Sequence, residues 1–193
     1  MNPSEKIILD LCGGTGSWSK PYRDAGYDVR LITLPEYDVR LYIPPDHVYG
    51  VLAATPCDQF SIAKYFHGKG HYTQDFRAGL EVCAACCRVI LTCRPVFYAI
   101  ENPANGLLRR WLKEPRYTFD PWQFGHRYQK RTALWGSFHF PIPTVLEKPE
   151  GMVKFSRLRS RDIYPEYYGV YDRQTRRAIT PPGFASAFFK ANP

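Results

Sequence analysis

The stretch Lys6-Ile-Ile-Leu-Asp10-Leu-Cys-Gly-Gly-Thr-Gly16 decides the fold. Its first half is a short apolar run ending in an acid, the pattern of a buried strand, and its second half is a glycine turn that opens into the helix-compatible segment Ser17 to Ala25. Glycines let the backbone turn tightly and approach a ligand, and the exposed amides at the start of a helix favour a carboxylate or a phosphate. The spacing of Gly13, Gly14 and Gly16 is not the dinucleotide pattern G-x-G-x-x-G, so a nicotinamide or flavin is not expected. On these residues alone, two readings stand: a cofactor cradle, or a structural strand-to-helix turn.

Working outward, Gly26 stops the helix, Asp28 to Leu34 reads as a second strand ended by Pro35, and Tyr37 to Leu41 as a short third. Val48 to Ala54 is a buried strand running into Thr55-Pro56-Cys57, and Phe60 to His71 reads as a loop with a short helix. Thr73 to Cys93 has the spacing of a core-facing helix. Val96 to Ile100 is another buried strand, closed by Glu101-Asn102-Pro103, and Asn105 to Lys113 is a basic helix. A strand at Thr132 to Gly136, Pro-rich coil from Pro141 to Gly151 and a last helix from Gly183 to Lys190 complete the reading. Strands alternating with helices predict an α/β fold, a Rossmann-like, doubly wound and mostly parallel sheet. Ligands of such sheets bind outside the carboxyl ends of the strands. Asp10, Cys57 and Glu101 are each expected just past one such end, on one rim.

At 193 residues with 45% hydrophobic content, the chain can build one substantial core, so residues 1–193 are expected to form a single domain. Met1 to Leu11 lacks the pattern of a signal peptide, and no apolar run is long enough to cross a bilayer. A cytoplasmic protein with no membrane partner is the expectation. Four of the six cysteines crowd into residues 83–93, unlike a spread disulfide framework, and are read as reduced thiols. Cys83 and Cys87 share a helix face and His67 and His71 are separated by glycines; neither pair is read as a metal site. The formal charge of +8 is unevenly placed: residues 1–100 hold 10 basic and 10 acidic side chains, and residues 101–193 hold 16 and 8. The second half therefore carries the signal for a polyanionic partner.

Two side chains bear reactivity. Cys57 follows a buried strand and a rigid proline, so nearby amides or cations could make it a nucleophile; the alternative is a small buried residue. Glu101 ends a strand with few charges before it, where desolvation makes a carboxyl group a proton donor; the alternative is an acid capping the next helix.

In this order, the elements resemble the C5-cytosine DNA methyltransferases. Asp10-Leu11-Cys12-Gly13-Gly14-Thr15-Gly16 is similar to that family's S-adenosyl-L-methionine loop (Asp-Leu-Phe-x-Gly-x-Gly), Pro56-Cys57 to its nucleophile motif, and Glu101-Asn102-Pro103 to its Glu-Asn-Val. Gln129-Lys-Arg131-Thr-Ala-Leu-Trp-Gly136 resembles the motif whose arginine holds the target base. Asp38-Val39 falls where the family contacts the adenine, and Thr180-Pro-Pro-Gly183 where it has a C-terminal motif near the cofactor. The acid for the ribose hydroxyls is missing after the second strand, where Glu36 can substitute. Aligning Arg131 with the second arginine of its motif places Gln129 at the first. Only about 40 residues separate Gly136 from Arg177, so residues 137–176 form a short Pro-, Arg- and Tyr-rich segment in place of a target-recognition domain.

The resemblance implies methyl transfer to C5 of cytosine in DNA, with Cys57, Glu101 and Arg131 catalytic and S-adenosyl-L-methionine held by residues 10–16, Glu36, Asp38, Pro56 and Thr180. It implies nucleic-acid contacts from Gln59, Ser61, Arg127, Gln129, Arg157, Arg159 and Arg161, within a basic, tyrosine-rich tail that also holds Arg173, Arg176 and Arg177. The expected partner is double- or single-stranded DNA, with a homodimer or an accessory partner as a way to gain contact area. A compact member from a phage or bacterium is the implied type. The short segment leaves two other readings open: modification of a free cytidine nucleotide or RNA, and a catalytically silent DNA-binding module.

Overall fold

The computed structural model describes residues 2–62 and 74–193. His67 and His71, and most of the loop read at Phe60 to His71, lie outside the described residues. Strand β1 (Ile7–Leu11) leads through the glycine turn to helix α1 (Lys20–Asp24) and strand β2 (Asp28–Ile32). Then come β3 (Val48–Ala54), α2 (Cys57–Phe60), the long α3 (Phe76–Cys93), β4 (Phe97–Pro103) and α4 (Arg109–Leu112). The second half holds β5 (Tyr117–Phe119), β6 (Tyr128–Gln129), β7 (Thr132–Ser137), β8 (Val153–Lys154), α5 (Arg173–Ala178) and α6 (Pro182–Ala191).

Six strands form one sheet in the order β2-β1-β3-β4-β7-β5. The four from β2 to β4 are parallel, and β7 runs antiparallel to both β4 and β5. The predicted Rossmann-like, mostly parallel sheet is therefore present. Successive side chains of a strand face opposite layers. Leu9, Leu11, Val51, Ala53 and Ile100 pack under α3 with Cys83, Cys86, Val89 and Ile90. Ile8, Leu52, Phe97 and Ala99 face the other layer, an aromatic core of Trp18, Tyr22, Phe119, Phe184 and Phe188 supplied largely by α1 and α6. Phe119 and Phe184 stack with centroids 3.8 Å apart. From β1 the chain moves to β2 on one side and then crosses back to β3 on the other. That reversal opens the crevice in which ligands of open α/β sheets bind, outside the carboxyl ends of β1 and β3.

Four local expectations are corrected. Tyr37 to Leu41 is a turn, not a strand: the Asp38 carboxylate accepts the Arg40 backbone N–H and guanidinium, and Leu41 N–H bonds back to Asp38 C=O. Arg88 of α3 fixes this turn by donating to the carbonyls of Val39 and Tyr42. Helix α1 starts at Lys20 rather than Ser17, with Pro21 in its first turn. Helix α4 is four residues long, because Gly106 N–H closes a turn on Pro103 and Leu107 N–H is taken by Phe60 C=O. Asp10 and Glu101 lie inside β1 and β4 rather than beyond them.

A small third core of Phe155, Ile163, Tyr164 and Ile179 organises the segment read as a short insert. Its hub is Arg176, 3% exposed, whose guanidinium donates to Ser160 C=O, Ile163 C=O (2.8 Å), Tyr171 C=O and Ser160 Oγ. Arg176, read as part of a DNA-facing surface, is thus an internal tie. The two-stranded ladder of β6 and β8 joins this lobe to the segment that leads into β7.

Candidate active site

The site is built on the carboxyl rim of the sheet. Asp10 is fully buried; its Oδ2 accepts the Ser19 hydroxyl at 2.5 Å, while its Oδ1 has no partner among the described residues. Burial raises its pKa to about 6, against the lowering effects of Ser19 and Arg23. A Cβ on Gly13 would lie 2.2 Å from Asp10 Oδ1, so only glycine lets the turn close over the carboxylate. Gly14 and Gly16 have φ of +54° and +68°, in the region that favours glycine, and Cys12 adopts +57° as well. Cys12 N–H extends the ladder onto Ile32 C=O, and its sulfur accepts the S–H of Cys86 from α3 below. All six cysteines are free. Ser17 Oγ accepts the Thr180 N–H at 2.9 Å, which fastens the C-terminal Thr-Pro-Pro-Gly segment to the glycine turn. Asp38 acts electrostatically on Cys12 and so lies near the same turn, and its carboxyl is held below the usual range by Arg40. Glu36 is exposed on the turn after Pro35.

Cys57 is the first residue of α2, after Pro56 turns the chain out of β3. The helix is held from two sides. Its Phe60 carbonyl accepts Leu107 N–H, and a Cβ on Gly79 of α3 would meet Gln59 Cβ at 2.7 Å, so α2 packs tightly on α3. Across the crevice, Asn102 Nδ2 donates to the carbonyl and hydroxyl oxygens of Thr55, both at 3.1 Å. This stitches the end of β4 to the turn that delivers Cys57, and register places Glu101 opposite Ala54. Cys57 and Glu101 are close enough to act on each other electrostatically. Burial raises the pKa of both groups, and Lys130 opposes that rise in both.

Lys130 was not among the residues singled out in the sequence. Arg131 was, and the structure turns it the other way: its guanidinium donates to Thr118 Oγ1 at 3.2 Å and faces Asp120. Neighbouring residues of an extended chain point to opposite sides, and it is Lys130 that acts electrostatically on Cys57 and Glu101. Its ammonium donates to Arg177 C=O at 2.9 Å and lies 5.3 Å from the Phe155 ring centroid; the Arg177 guanidinium covers the same ring at 4.9 Å. Arg177 also acts on Cys57. Two-residue periodicity shows that Lys130 and Arg131 diverge, but choosing between them requires knowing where Cys57 lies.

The residues read as nucleic-acid contacts are scattered. Gln59 is committed to structure, donating to Asp58 and accepting the Asp75 N–H at the start of α3. Ser61 ends α2, and its carbonyl accepts Gln74 Nε2. Gln129 pairs with Lys154 in the small ladder. Arg127, Arg157, Arg159 and Arg161 are exposed, and Arg159 is paired with Asp162 at 2.7 Å.

A protein of frog virus 3 (isolate Goorha), named a "Probable DNA (cytosine-5)-methyltransferase", is 27% identical over 172 residues, covering 78% of this chain and 79% of its own. The chain is similar to a viral protein of that name over most of its length. No family model matches it. Among solved structures, one described as a DNA modification methyltransferase encoded within an E. coli prophage superposes with a TM-score of 0.53 at 14% identity. The match covers 74% of this chain, which spans about half, 52%, of that structure. The chain therefore shares the Rossmann-like fold of that structure. Among the described residues no helix is long and apolar enough to cross a membrane.

Proposed function

We propose that the protein transfers a methyl group from S-adenosyl-L-methionine to C5 of cytosine in DNA, as the name of the frog virus relative suggests. The observation that carries this reading is the meeting of Cys57 and Glu101 at the end of β4, one crevice away from the glycine turn over Asp10. The turn fits a cofactor on physical grounds. It holds a buried carboxylate with one unpartnered oxygen, and at Gly14 the backbone opens to free space. Residues 10–16, with Glu36, Asp38, Pro56 and Thr180, would hold S-adenosyl-L-methionine, which supplies an electrophilic methyl group when bound.

C5 of cytosine is a poor nucleophile until the ring is activated. The Cys57 thiolate adds to C6, and Glu101, whose pKa burial raises against the pull of Lys130, gives its proton to N3 as electron density builds at C5. Once C5 carries the methyl group, its proton leaves to water, Cys57 is expelled as the thiolate and N3 returns its proton to Glu101, which restores the aromatic ring and the acid. A soft sulfur suits the cycle because it adds and leaves readily. The C6 position cannot be reached inside a duplex, so the cytosine must be flipped out, at about a few kcal/mol. Exposed arginines of the basic half would offset part of that cost through the phosphates. DNA is preferred over a free nucleotide because residues 101–193 carry the whole excess of positive charge, part of it on exposed arginines such as Arg127, Arg157 and Arg161.

A duplex carrying 5-fluorocytosine tests the covalent step. Fluorine cannot leave as a proton does, so the adduct should persist and appear by mass spectrometry on the peptide that contains Cys57. Turnover of ordinary cytosine without any trapped adduct would contradict the covalent route.

A further inference from the structure

We propose that the turn Tyr167-Tyr168-Gly169-Val170-Tyr171 is a stacking surface for an unstacked nucleobase of the bound nucleic acid. Its large side chains stand in water: Val170 is 69% exposed, Tyr168 60%, and Tyr167 and Tyr171 are exposed as well. The turn is nonetheless firmly built. The N–H groups of Val170 and Tyr171 both donate to Tyr167 C=O at 3.1 Å, and Gly169 supplies the φ of +87° that reverses the chain. Just before the turn, Tyr164 is buried and its hydroxyl meets the Tyr128 hydroxyl of β6 at 2.9 Å. Behind the turn, Arg176 donates to Tyr171 C=O at 3.2 Å and holds its guanidinium 5.0 Å from the centroid of the Tyr168 ring. One face of that ring is thus backed by a fixed cation, and the exposure of the residue leaves the opposite face to solvent.

Exposed rings suit several partners, and the charge around these selects one. Residues 152–178 hold seven basic and three acidic side chains. Of the acids, Asp162 pairs with Arg159 and Asp172 caps α5 by accepting Thr175 N–H. Lys154, Arg157, Arg161 and Arg173 are exposed and form no ion pair among the described residues. Cations that take phosphates beside aromatic rings that take bases are the combination by which unstacked nucleic acid is held. Because the turn is fixed from behind, little side-chain freedom is lost when a base settles on it. Flipping a cytosine opens a duplex locally and uncovers base faces, so the substrate of the proposed reaction presents what the turn takes. The lobe organised by Arg176 thereby acquires a role in binding: the same guanidinium that gathers its carbonyls backs the Tyr168 ring.

The proposal rests on the reading above that DNA is the substrate, but its test needs neither cofactor nor methyl transfer. The probes are two labelled oligonucleotides of equal length and phosphate charge. One is a single strand of mixed sequence without cytosine, which keeps the catalytic crevice out of the comparison, and the other is made entirely of abasic units. Fluorescence anisotropy with the full chain should show the base-bearing strand bound about fivefold tighter or more. Tyr168→Ala should bring the two affinities to within about twofold and leave the salt slope of the abasic strand unchanged, because no phosphate contact is lost. Tyr168→Phe should keep the preference, since stacking uses the ring and not the hydroxyl. Arg157→Ala with Arg161→Ala should do the reverse, lowering the salt slope and keeping the preference. Equal affinities in the wild-type protein, or no binding of either strand, overturn the proposal, as does a preference that survives in both Tyr167→Ala and Tyr168→Ala. If Tyr168→Ala unfolds the lobe, Tyr168→Leu, which keeps apolar bulk without a ring face, takes its place with the same expected loss. The preference in a protein that transfers no methyl group overturns the methyltransferase reading and leaves this one standing, and methyl transfer by a protein without the preference does the opposite.

Discussion

Asp10 illustrates how one side chain links stability to function. With a folded-state pKa of about 6 against a usual 3.8, Asp10 binds its proton more tightly in the folded protein. Its contribution is therefore complete at low pH and is lost as pH rises from about 4 to about 6, a cost on the order of 3 kcal/mol above that window. Asp10→Asn should be more stable than wild type in urea denaturation at pH 7.5, with the difference shrinking toward pH 4. The same substitution should abolish S-adenosyl-L-methionine binding, and the wild-type affinity should rise between pH 5.5 and 7.5 as the carboxylate ionises. A site that costs stability while it is empty is explained by a ligand that makes use of the charge. Cys57 supplies the complementary test. Cys57→Ser should lower methyl transfer by at least about a thousandfold while cofactor affinity, read by calorimetry, stays within about twofold of wild type.

At the scale of elements, two different physical devices hold the protein. The sheet and its flanking helices are held by aromatic and aliphatic burial; Phe184, fully buried and stacked on Phe119, should cost about 3–5 kcal/mol when replaced by alanine. The lobe of residues 152–178 is held by Arg176 and the carbonyls that it gathers. Arg176→Ala should leave the sheet folded and selectively raise hydrogen exchange across residues 155–171, because it strands Ser160 and Ile163 carbonyls now satisfied by the guanidinium. This difference explains what could be read from sequence. β1, β3, β4, β7, α3 and α6 were legible within a few residues, since buried strands and a long apolar-faced helix write their burial into period and composition. The turn at Tyr37 to Leu41 was read as a strand because its apolar residues mimic one, whereas Asp38, Arg40 and the remote Arg88 decide its shape. The lobe was invisible as structure because a polar hub leaves no periodic mark. Arginines that tie carbonyls look like arginines that bind phosphate.

Considered whole, the molecule separates a neutral cofactor half from a basic half, and the crevice lies between motifs from both. Asp10, Cys57 and Glu101 stand on three separate elements and Thr180 in the loop before α6, and the position of the first three at the carboxyl ends of strands was legible. The pairing of Lys130 with Arg177 left no mark in the sequence, since the two meet through the Phe155 ring and a hydrogen bond from the Lys130 ammonium to the Arg177 carbonyl. The charge distribution makes a prediction of its own. DNA affinity should fall steeply with salt, and Arg157→Ala with Arg161→Ala should reduce the slope of log K against log salt by about 1–2, whereas Arg159→Ala, already paired with Asp162, should change it less. The most direct measurement is incubation of the purified protein with methyl-labelled S-adenosyl-L-methionine and cytosine-containing duplex DNA, followed by nucleoside mass spectrometry. Label in 5-methyldeoxycytidine, lost in Cys57→Ser, is the predicted result. Absence of labelled 5-methyldeoxycytidine from protein shown to bind both cofactor and DNA would contradict the account.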